Sequence, residues 1–243
     1  MSKFKPTYKR FNEKAILIEW PFEISETILS DVLNLKKKIE NALGYRIIEA
    51  RSAYQSILVL YTDYIFDEIH AIKELEEIYN SMSNAVPSQS KLWKIPVCYH
   101  ADFSLDIEEI TQSKNLSKDD VIRLHSEAIY TVYFIGFLPG FLYLGGLNER
   151  LFTPRKEIPR RQIEKGAVAI GGNQTGVYPN ESPGGWNIIG NSPIDFFNHQ
   201  KEKPCFAKAG DRIQFVSVSL KEYVTIKALV KSGVYNLESE QVV

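Results

Sequence analysis

Three neighbouring segments in the second half of the chain carry the side chains best suited to chemistry. The first, residues 136–146 (GFLPGFLYLGG), alternates glycines with Phe137, Phe141 and Tyr143. Because glycine lets the backbone bend sharply or approach a ligand closely, these aromatic rings could wall a pocket. The same composition suits a buried corner of a sheet, where glycine and aromatic residues pair for packing alone. Composition slightly favours the packing interpretation.

Two Pro-Arg pairs follow in residues 153–161 (TPRKEIPRR). Proline holds the guanidinium groups of Arg155 and Arg160 on stiff, non-helical backbone. A guanidinium binds a carboxylate or a phosphate through paired hydrogen bonds, so the segment predicts an anion site. Solvated surface arginines are the alternative, and these residues alone do not separate the two.

The third segment, residues 171–185 (GGNQTGVYPNESPGG), places Gln174, Thr175, Tyr178 and Ser182 among turn-forming residues. Hydroxyl and amide groups on such turns could form a polar site, and successive backbone N–H groups could bind an anion. A long solvated loop would look similar. Because all three segments fall within about fifty residues, their combination favours one shared binding site.

His125 lies on the apolar face of a predicted helix, where a core histidine is more common than a general base, although both interpretations stay open. Cys98 and His100 would suit two metal ligands only on a strand, and no second pair accompanies them. We therefore predict no metal site. The common catalytic and phosphate-binding motifs are absent from the sequence.

The composition excludes several classes of protein. The chain has 29 Lys and Arg against 30 Asp and Glu, so its net charge of -1 leaves no field to hold nucleic acid. No apolar run resembles a signal peptide or a membrane span, which predicts a cytoplasmic location without membrane association. The two cysteines, Cys98 and Cys205, are expected to be free thiols.

The elements of the first half follow from hydrophobic periodicity. Residues 15–20 predict a strand, Ser25 precedes a helix that ends at Gly44, and two strands and a second helix follow. A last strand at residues 92–99 would complete a ferredoxin-like unit. Residues 80–91 have the composition of a linker, so we expect domains at residues 1–88 and 89–243.

In the second half, Ser117 and Asp120 predict a capping box at the start of one helix, which carries His125. The rest predicts short strands separated by turns, among them residues 129–135, 211–219 and 224–230. Many short strands of this kind suggest a β-barrel or sandwich.

Taken in order, the motifs Gly136-Phe137-x-Pro139-Gly140-Phe141, the two Pro-Arg pairs, Gln174-Thr175-Gly176-x-Tyr178-Pro179 and Ser182-Pro183-Gly184-Gly185-Trp186 resemble the allophanate hydrolase subunit 1 family. This family includes the Kip inhibitor and the B-type subunit of 5-oxoprolinase. The resemblance implies an α+β protein, with a small ferredoxin-like α/β domain followed by a cyclophilin-like β-barrel.

The resemblance also implies a role within an ATP-dependent 5-oxoprolinase. Because the sequence has no recognisable phosphate-binding loop, we expect ATP to be bound partly or mainly by another subunit. The implied partners are an allophanate hydrolase subunit 2-like protein (the C-type component of 5-oxoprolinase) and a LamB/YcsF-type protein (its A-type component). Carried over by position, the expected site residues are His125 and Arg160 as catalytic groups, with Arg155, Gln174, Thr175, Tyr178 and Ser182 binding substrate.

Two other functions stay open at this stage. One is inhibition of a sporulation-type histidine kinase, which would make that kinase the partner. The other is a part in biotin-dependent carboxyl transfer, as in urea carboxylase, although the chain has no room for a biotin carboxylase or carrier domain.

Overall fold

The computed structural model describes residues 4–81 and 90–242, and the chain divides into two compact units, Met1–Ser88 and Gln89–Val243. Both units contain strands and helices, so the protein is of mixed α and β class, as the sequence predicts. Most of the predicted linker, residues 82–89, lies outside the described residues.

The first unit is one antiparallel sheet of four strands with two helices. The sheet has the order β1-β2-β4-β3. The bounds are β1 Thr7–Asn12, β2 Ala15–Glu19, α1 Glu26–Leu43, β3 Ile47–Ala53, β4 Ser56–Tyr61 and α2 Glu68–Asn80, with a short 3-10 helix at Gly44–Arg46.

Helix α1 confirms the periodicity argument. Its buried residues are the apolar positions that share one face of a helix, namely Ile28, Leu29, Val32, Leu35, Ile39 and Leu43. Gly44 ends the helix with a φ of 52°, a conformation that favours glycine. This helix packs its apolar face on the sheet and forms the core of the first unit with β2 and β4.

The predicted last strand of the ferredoxin-like unit is wrong. That segment is β5, Ser90–Val97, and it pairs with strands of the second unit. The fourth place in the first sheet is taken by β1, which precedes β2 and forms a hairpin with it. A short turn closes this hairpin, so pairing β1 costs far less loop entropy than pairing a strand from beyond the linker.

The second unit holds an eight-stranded mixed sheet of order β12-β9-β10-β7-β6-β13-β5-β14 and a separate pair of strands, β8 and β11. The remaining bounds are α3 Ile107–Lys114, α4 Lys118–Glu127, β6 Ile129–Ile135, β7 Leu142–Gly145, β8 Arg160–Ile163, β9 Ala167–Gly171, β10 Gln174–Val177, β11 Ser182–Gly184, β12 Asn187–Asn191, β13 Arg212–Ser217, α5 Leu220–Lys231 and β14 Ser239–Val242, with a 3-10 helix at Glu149–Leu151.

The prediction of a closed cyclophilin-like barrel is corrected to this open sheet. One isolated bridge joins Cys98, directly after β5, to Asn191 at the end of β12. A continuous ladder between β5 and β12 does not form, because β14 occupies the first half of the same edge of β5. Strand β14 therefore pairs with the edge of β5 to which β12 would pair in a closed barrel.

Helix α4 confirms the predicted capping box, with Ser117 and Asp120 bonded reciprocally. The strand predicted at residues 224–230 is wrong, since this segment belongs to helix α5. Its β-branched residues favour a strand, but Ser219 and Glu222 form a second capping box that starts the helix. No helix within the described ranges is long and apolar enough to cross a bilayer.

Candidate functional site

Phe141 lies at the centre of an aromatic cluster formed by the glycine-rich segment 136–146 and by the polar segment 171–185 with the adjoining Trp186. It is buried directly before β7 and makes edge contacts with Tyr178 and Trp186, at ring distances of 5.3 and 5.5 Å. Tyr143 on β7 lies 4.8 Å from Phe141 and stacks on Phe134. The glycine-rich and polar segments therefore meet, and packing accounts for most of their aromatic side chains.

Arg155 is an exposed cation above this cluster. Its guanidinium lies 5.6 Å from the centre of the Trp186 ring, a cation–π geometry. Burial raises the pKa of both Tyr143 and Tyr178, and the positive charge of Arg155 opposes this rise. Within the described part of the chain, Arg155 forms no ion pair and no hydrogen bond.

Arg160 has a different environment, although the sequence predicts the same chemistry for it. Its two terminal nitrogens donate to both carboxylate oxygens of Asp106, at 2.9 and 2.7 Å. Asp106 is 3% exposed and precedes α3, so this pair joins β8 to the start of that helix. Arg160 is thus neutralised by a carboxylate of its own chain.

Asp106 collects further donors. Its Oδ2 accepts the backbone N–H of Ile188 at 2.7 Å, and Lys156 Nζ lies 3.0 Å from Oδ1. Burial raises the pKa of Asp106, but the hydrogen bonds from Arg160, Ile188 and Lys156 outweigh it and hold the pKa below its usual value. Lys156 also pairs with Glu109, so both of these cations are matched by acidic groups.

His125 is fully buried in α4, and its ring stacks on Phe215 at 4.5 Å. Its Nδ1 lies 2.7 Å from Tyr99 Oη and its Nε2 lies 2.9 Å from Thr175 Oγ1. Burial lowers the pKa of His125 from 6.5 to about 3, which keeps the ring neutral. This environment favours the core-histidine interpretation, and the catalytic role stays a prediction.

The proton positions around His125 follow from Thr175. The Thr175 hydroxyl donates its single hydrogen to the carbonyl oxygen of Ala169 at 3.0 Å. It must therefore accept from His125 Nε2–H, which leaves Nδ1 to accept from the Tyr99 hydroxyl. Thr175 is fully buried and acts inside the core in this arrangement.

The other predicted substrate-binding residues are also buried. Gln174 and Ser182 are each 8% exposed, and Tyr178 is 2% exposed. The Ser182 hydroxyl is buried without a hydrogen-bond partner in the described residues. Of the seven predicted site residues, Arg155 is the one exposed to solvent, and Arg160 is half-buried, with 30% of its side chain accessible.

The cations of this region fit one small anion better than a triphosphate. Lys156 and Arg160 are matched by Asp106 and Glu109, so Arg155, which lies over Trp186, and Arg161 are the cations of residues 153–161 without an acidic partner in the described ranges. A triphosphate needs several free cations or a cradle of backbone N–H groups. In the described ranges, no group of three or more His, Cys, Asp or Glu side chains could hold a metal ion.

A model of the carboxyltransferase domain, subdomain C and D, matches residues 6–207 of the chain. The chain belongs to this carboxyltransferase family. It is 35% identical over 229 residues to the B-type subunit of 5-oxoprolinase from Bacillus subtilis (strain 168), an alignment that covers 90% of this chain and 95% of that protein. The corresponding protein of Escherichia coli O157:H7 is 37% identical over 170 residues, which cover 70% of this chain and 78% of that one. These relatives confirm the kinship that the sequence motifs indicated.

Two solved structures are similar to this chain. A conserved uncharacterized protein from Pyrococcus horikoshii is 42% identical, with a TM-score of 0.53 over 89% of this chain and all of that one. The Kluyveromyces lactis urea carboxylase gives a TM-score of 0.82 at 20% identity over 98% of this chain, which shows a shared fold. The present chain matches 24% of the length of the urea carboxylase chain.

Two residues of the site were not predicted from the sequence. Asp106 lies outside the motifs, and nothing local marks it, because its partner Arg160 is 54 residues away. Trp186 belongs to a motif but was assigned no role, although an exposed Pro-Arg pair together with a tryptophan could have suggested a cation–π contact.

Proposed function

We propose that this protein is one component of an ATP-dependent 5-oxoprolinase, which opens the ring of 5-oxo-L-proline to give L-glutamate, with ADP and phosphate as the other products. The observation that carries the proposal is the 35% identity to a B-type 5-oxoprolinase subunit over nearly the whole of both chains. Kinship with a subunit implies further subunits, so the enzyme is a complex.

The chemistry of ring opening explains why catalysis would be shared between subunits. The lactam of 5-oxoproline is an unreactive amide, and ATP would activate its carbonyl group so that water can open the ring. This chain offers Arg155 to a small anion, but its other cations near Trp186 are already paired. We therefore assign ATP binding mainly to a partner, either the allophanate hydrolase subunit 2-like protein or the LamB/YcsF-type protein.

Carboxyl transfer is the second candidate. It is supported by the carboxyltransferase family model and by the fold shared with the urea carboxylase from Kluyveromyces lactis. In that case the chain would work as one part of a biotin-dependent complex. Inhibition of a histidine kinase stays a prediction from the family resemblance, with no specific observation in its favour.

Reconstitution tests the proposal. The purified chain is combined with the subunit 2-like protein and the LamB/YcsF-type protein from the same genome, singly and together, and glutamate formation is measured with and without ATP. We expect ATP-dependent glutamate from the full mixture and none from this chain alone. Activity of the chain alone would contradict shared catalysis, and transfer of carboxyl groups from biotin without glutamate formation would favour the second candidate.

A further inference from the structure

The two arginines of the Pro-Arg pairs have different environments, although sequence alone treats them alike. The guanidinium of Arg160 is occupied by a bidentate carboxylate, whereas that of Arg155 lies on an indole ring and has no acidic partner in the described ranges. A guanidinium that lies over a ring keeps the N–H donors of its own plane available to a ligand.

We propose that Arg155, held over Trp186, binds the carboxylate of a small ring acid, and that Arg160 is a positioning residue. This inference rests on the proposed function and names the group of the substrate that this chain holds. The ring acid of that reaction is 5-oxo-L-proline, whose carboxylate carries one negative charge.

Charge supports a carboxylate as the ligand. The segment from Arg155 to Arg160 contains three cations and one acidic residue, Glu157, which forms no ion pair in the described ranges. Asp106 and Glu109 pair with two of the cations, Lys156 and Arg160. The guanidinium over Trp186 is therefore a single cation without an ion-pair partner in the described ranges, and its one charge matches that of a monocarboxylate. The planar, two-oxygen geometry of a carboxylate also fits the paired donors of one guanidinium.

Preorganisation is the role of Trp186. A free arginine loses side-chain entropy when it binds a ligand. Trp186 is 5% exposed and is fixed by edge contacts with Phe141 and Tyr143, so it is a rigid support. Arg155 therefore binds from a restricted set of conformations.

Asp106 and Arg160 keep this support in place. Asp106 accepts the backbone N–H of Ile188, two residues after Trp186. Arg160 lies opposite Gly184, two residues before Trp186, in the pairing of β8 with β11.

The backbone next to Arg155 is also tied to this segment. The backbone N–H of Lys156 donates to the carbonyl oxygen of Gly185 at 2.7 Å. The backbone on both sides of Trp186 is thereby tied to the segment that carries Arg155.

The test uses the reconstituted complex and measures KM separately for 5-oxo-L-proline and for ATP. We expect Arg155→Gln to raise KM for 5-oxo-L-proline at least tenfold with KM for ATP unchanged, and Arg155→Lys to recover part of the loss. Trp186→Leu should raise the same KM less, because the charge stays but its support is lost. Arg161→Gln, an exposed arginine on the neighbouring position of β8, is the matched control and should change neither constant.

The outcomes separate the two proposals. An active complex in which Arg155→Gln raises KM for ATP alone, or changes no KM, overturns the carboxylate assignment and leaves the oxoprolinase function standing. If the wild-type complex is inactive, the isolated chain is titrated with 5-oxo-L-proline and with inorganic phosphate, followed by NMR. Loss of oxoproline binding in Arg155→Gln then supports the carboxylate site without the enzyme, whereas a preference for phosphate, or binding that the substitution does not affect, refutes it.

Discussion

His125 Nε2 lies 2.9 Å from Thr175 Oγ1, across a separation of 50 residues in the sequence. The bond connects helix α4 to strand β10, and Tyr99 holds the opposite ring nitrogen. Burial keeps this imidazole neutral, and the donor and acceptor roles of its two partners fix one tautomer. The contact is thus a link between helix and sheet, and its consequences are measurable as stability.

Acid should destabilise the protein through His125. The pKa of His125 is lowered to about 3 in the folded protein and is near 6.5 in the unfolded chain. Between these two pH values the unfolded chain binds more protons than the folded protein. The free energy of unfolding therefore falls as the pH decreases from about 6.5 towards 3. We expect the free energy of unfolding of the second unit to fall by about 2 kcal/mol between pH 7 and pH 5. Urea unfolding at both pH values measures it.

A matched pair of histidine variants isolates this effect. His125→Gln should unfold at lower urea but lose most of the pH dependence between pH 7 and 5. His199→Gln, a histidine of the same unit outside the core, should keep the wild-type dependence. A His125→Gln profile that is parallel to wild type would show that another group causes the pH effect.

Removal of the Thr175 hydroxyl should cost stability without a large change in shape. Thr175→Val leaves the Nε2–H of His125 buried and unpaired, which costs about 1–3 kcal/mol. Thr175→Ser keeps the hydroxyl and loses only a methyl group, so it should cost less. Denaturant midpoints of the two variants decide the point, and an equal loss in both would mean that packing, not the hydrogen bond, matters here.

The adjacent glycines Gly184 and Gly185 should respond differently to alanine. A Cβ at Gly184 would lie 2.3 Å from Tyr178 Oη and 2.7 Å from Ile163 Cδ1, whereas at Gly185 the nearest atom is 3.4 Å away. We expect Gly184→Ala to destabilise the second unit by about 1–3 kcal/mol, as overpacked cores do. Gly185→Ala should stay within about 0.5 kcal/mol of wild type. Thermal unfolding of both variants is the measurement.

Asp106 and Arg160 should show coupling in a double-mutant cycle. Asp106→Asn leaves the half-buried Arg160 without its carboxylate, and Arg160→Gln leaves the buried Asp106 with Lys156 as its remaining cation. The sum of the single losses should therefore exceed the loss in the double variant by about 1–3 kcal/mol. Unfolding free energies of the four proteins give the coupling. Additive losses would show that solvent screens the pair.

The sequence predicts local structure well where the determinants are local. The apolar residues of α1 and the capping box of α4 are each confined to a few turns of helix, and both were predicted. The failures involve partners that are distant in the sequence. Strand β5 pairs with β13 and β14 rather than with the first unit, and periodicity carries no information about partners.

The same distinction holds for the candidate site. Three motifs were expected to meet, and Phe141, Tyr178 and Trp186 do form one cluster. The fate of each polar side chain was not predictable, because it depends on groups supplied by remote elements. Asp106 comes from the start of α3, and its carboxylate decides that Arg160 is neutralised while Arg155 is not.

The pairing of β14 with β5 has a consequence for how this unit can be used. Ser90, at the start of β5, lies opposite Val242, at the end of β14, so the first and last described residues of the second unit lie on neighbouring strands. A unit with adjacent ends can be spliced into a longer polypeptide without stretching its host, and it tolerates circular permutation. The paired ends of the second unit are thus compatible with its insertion into a longer polypeptide.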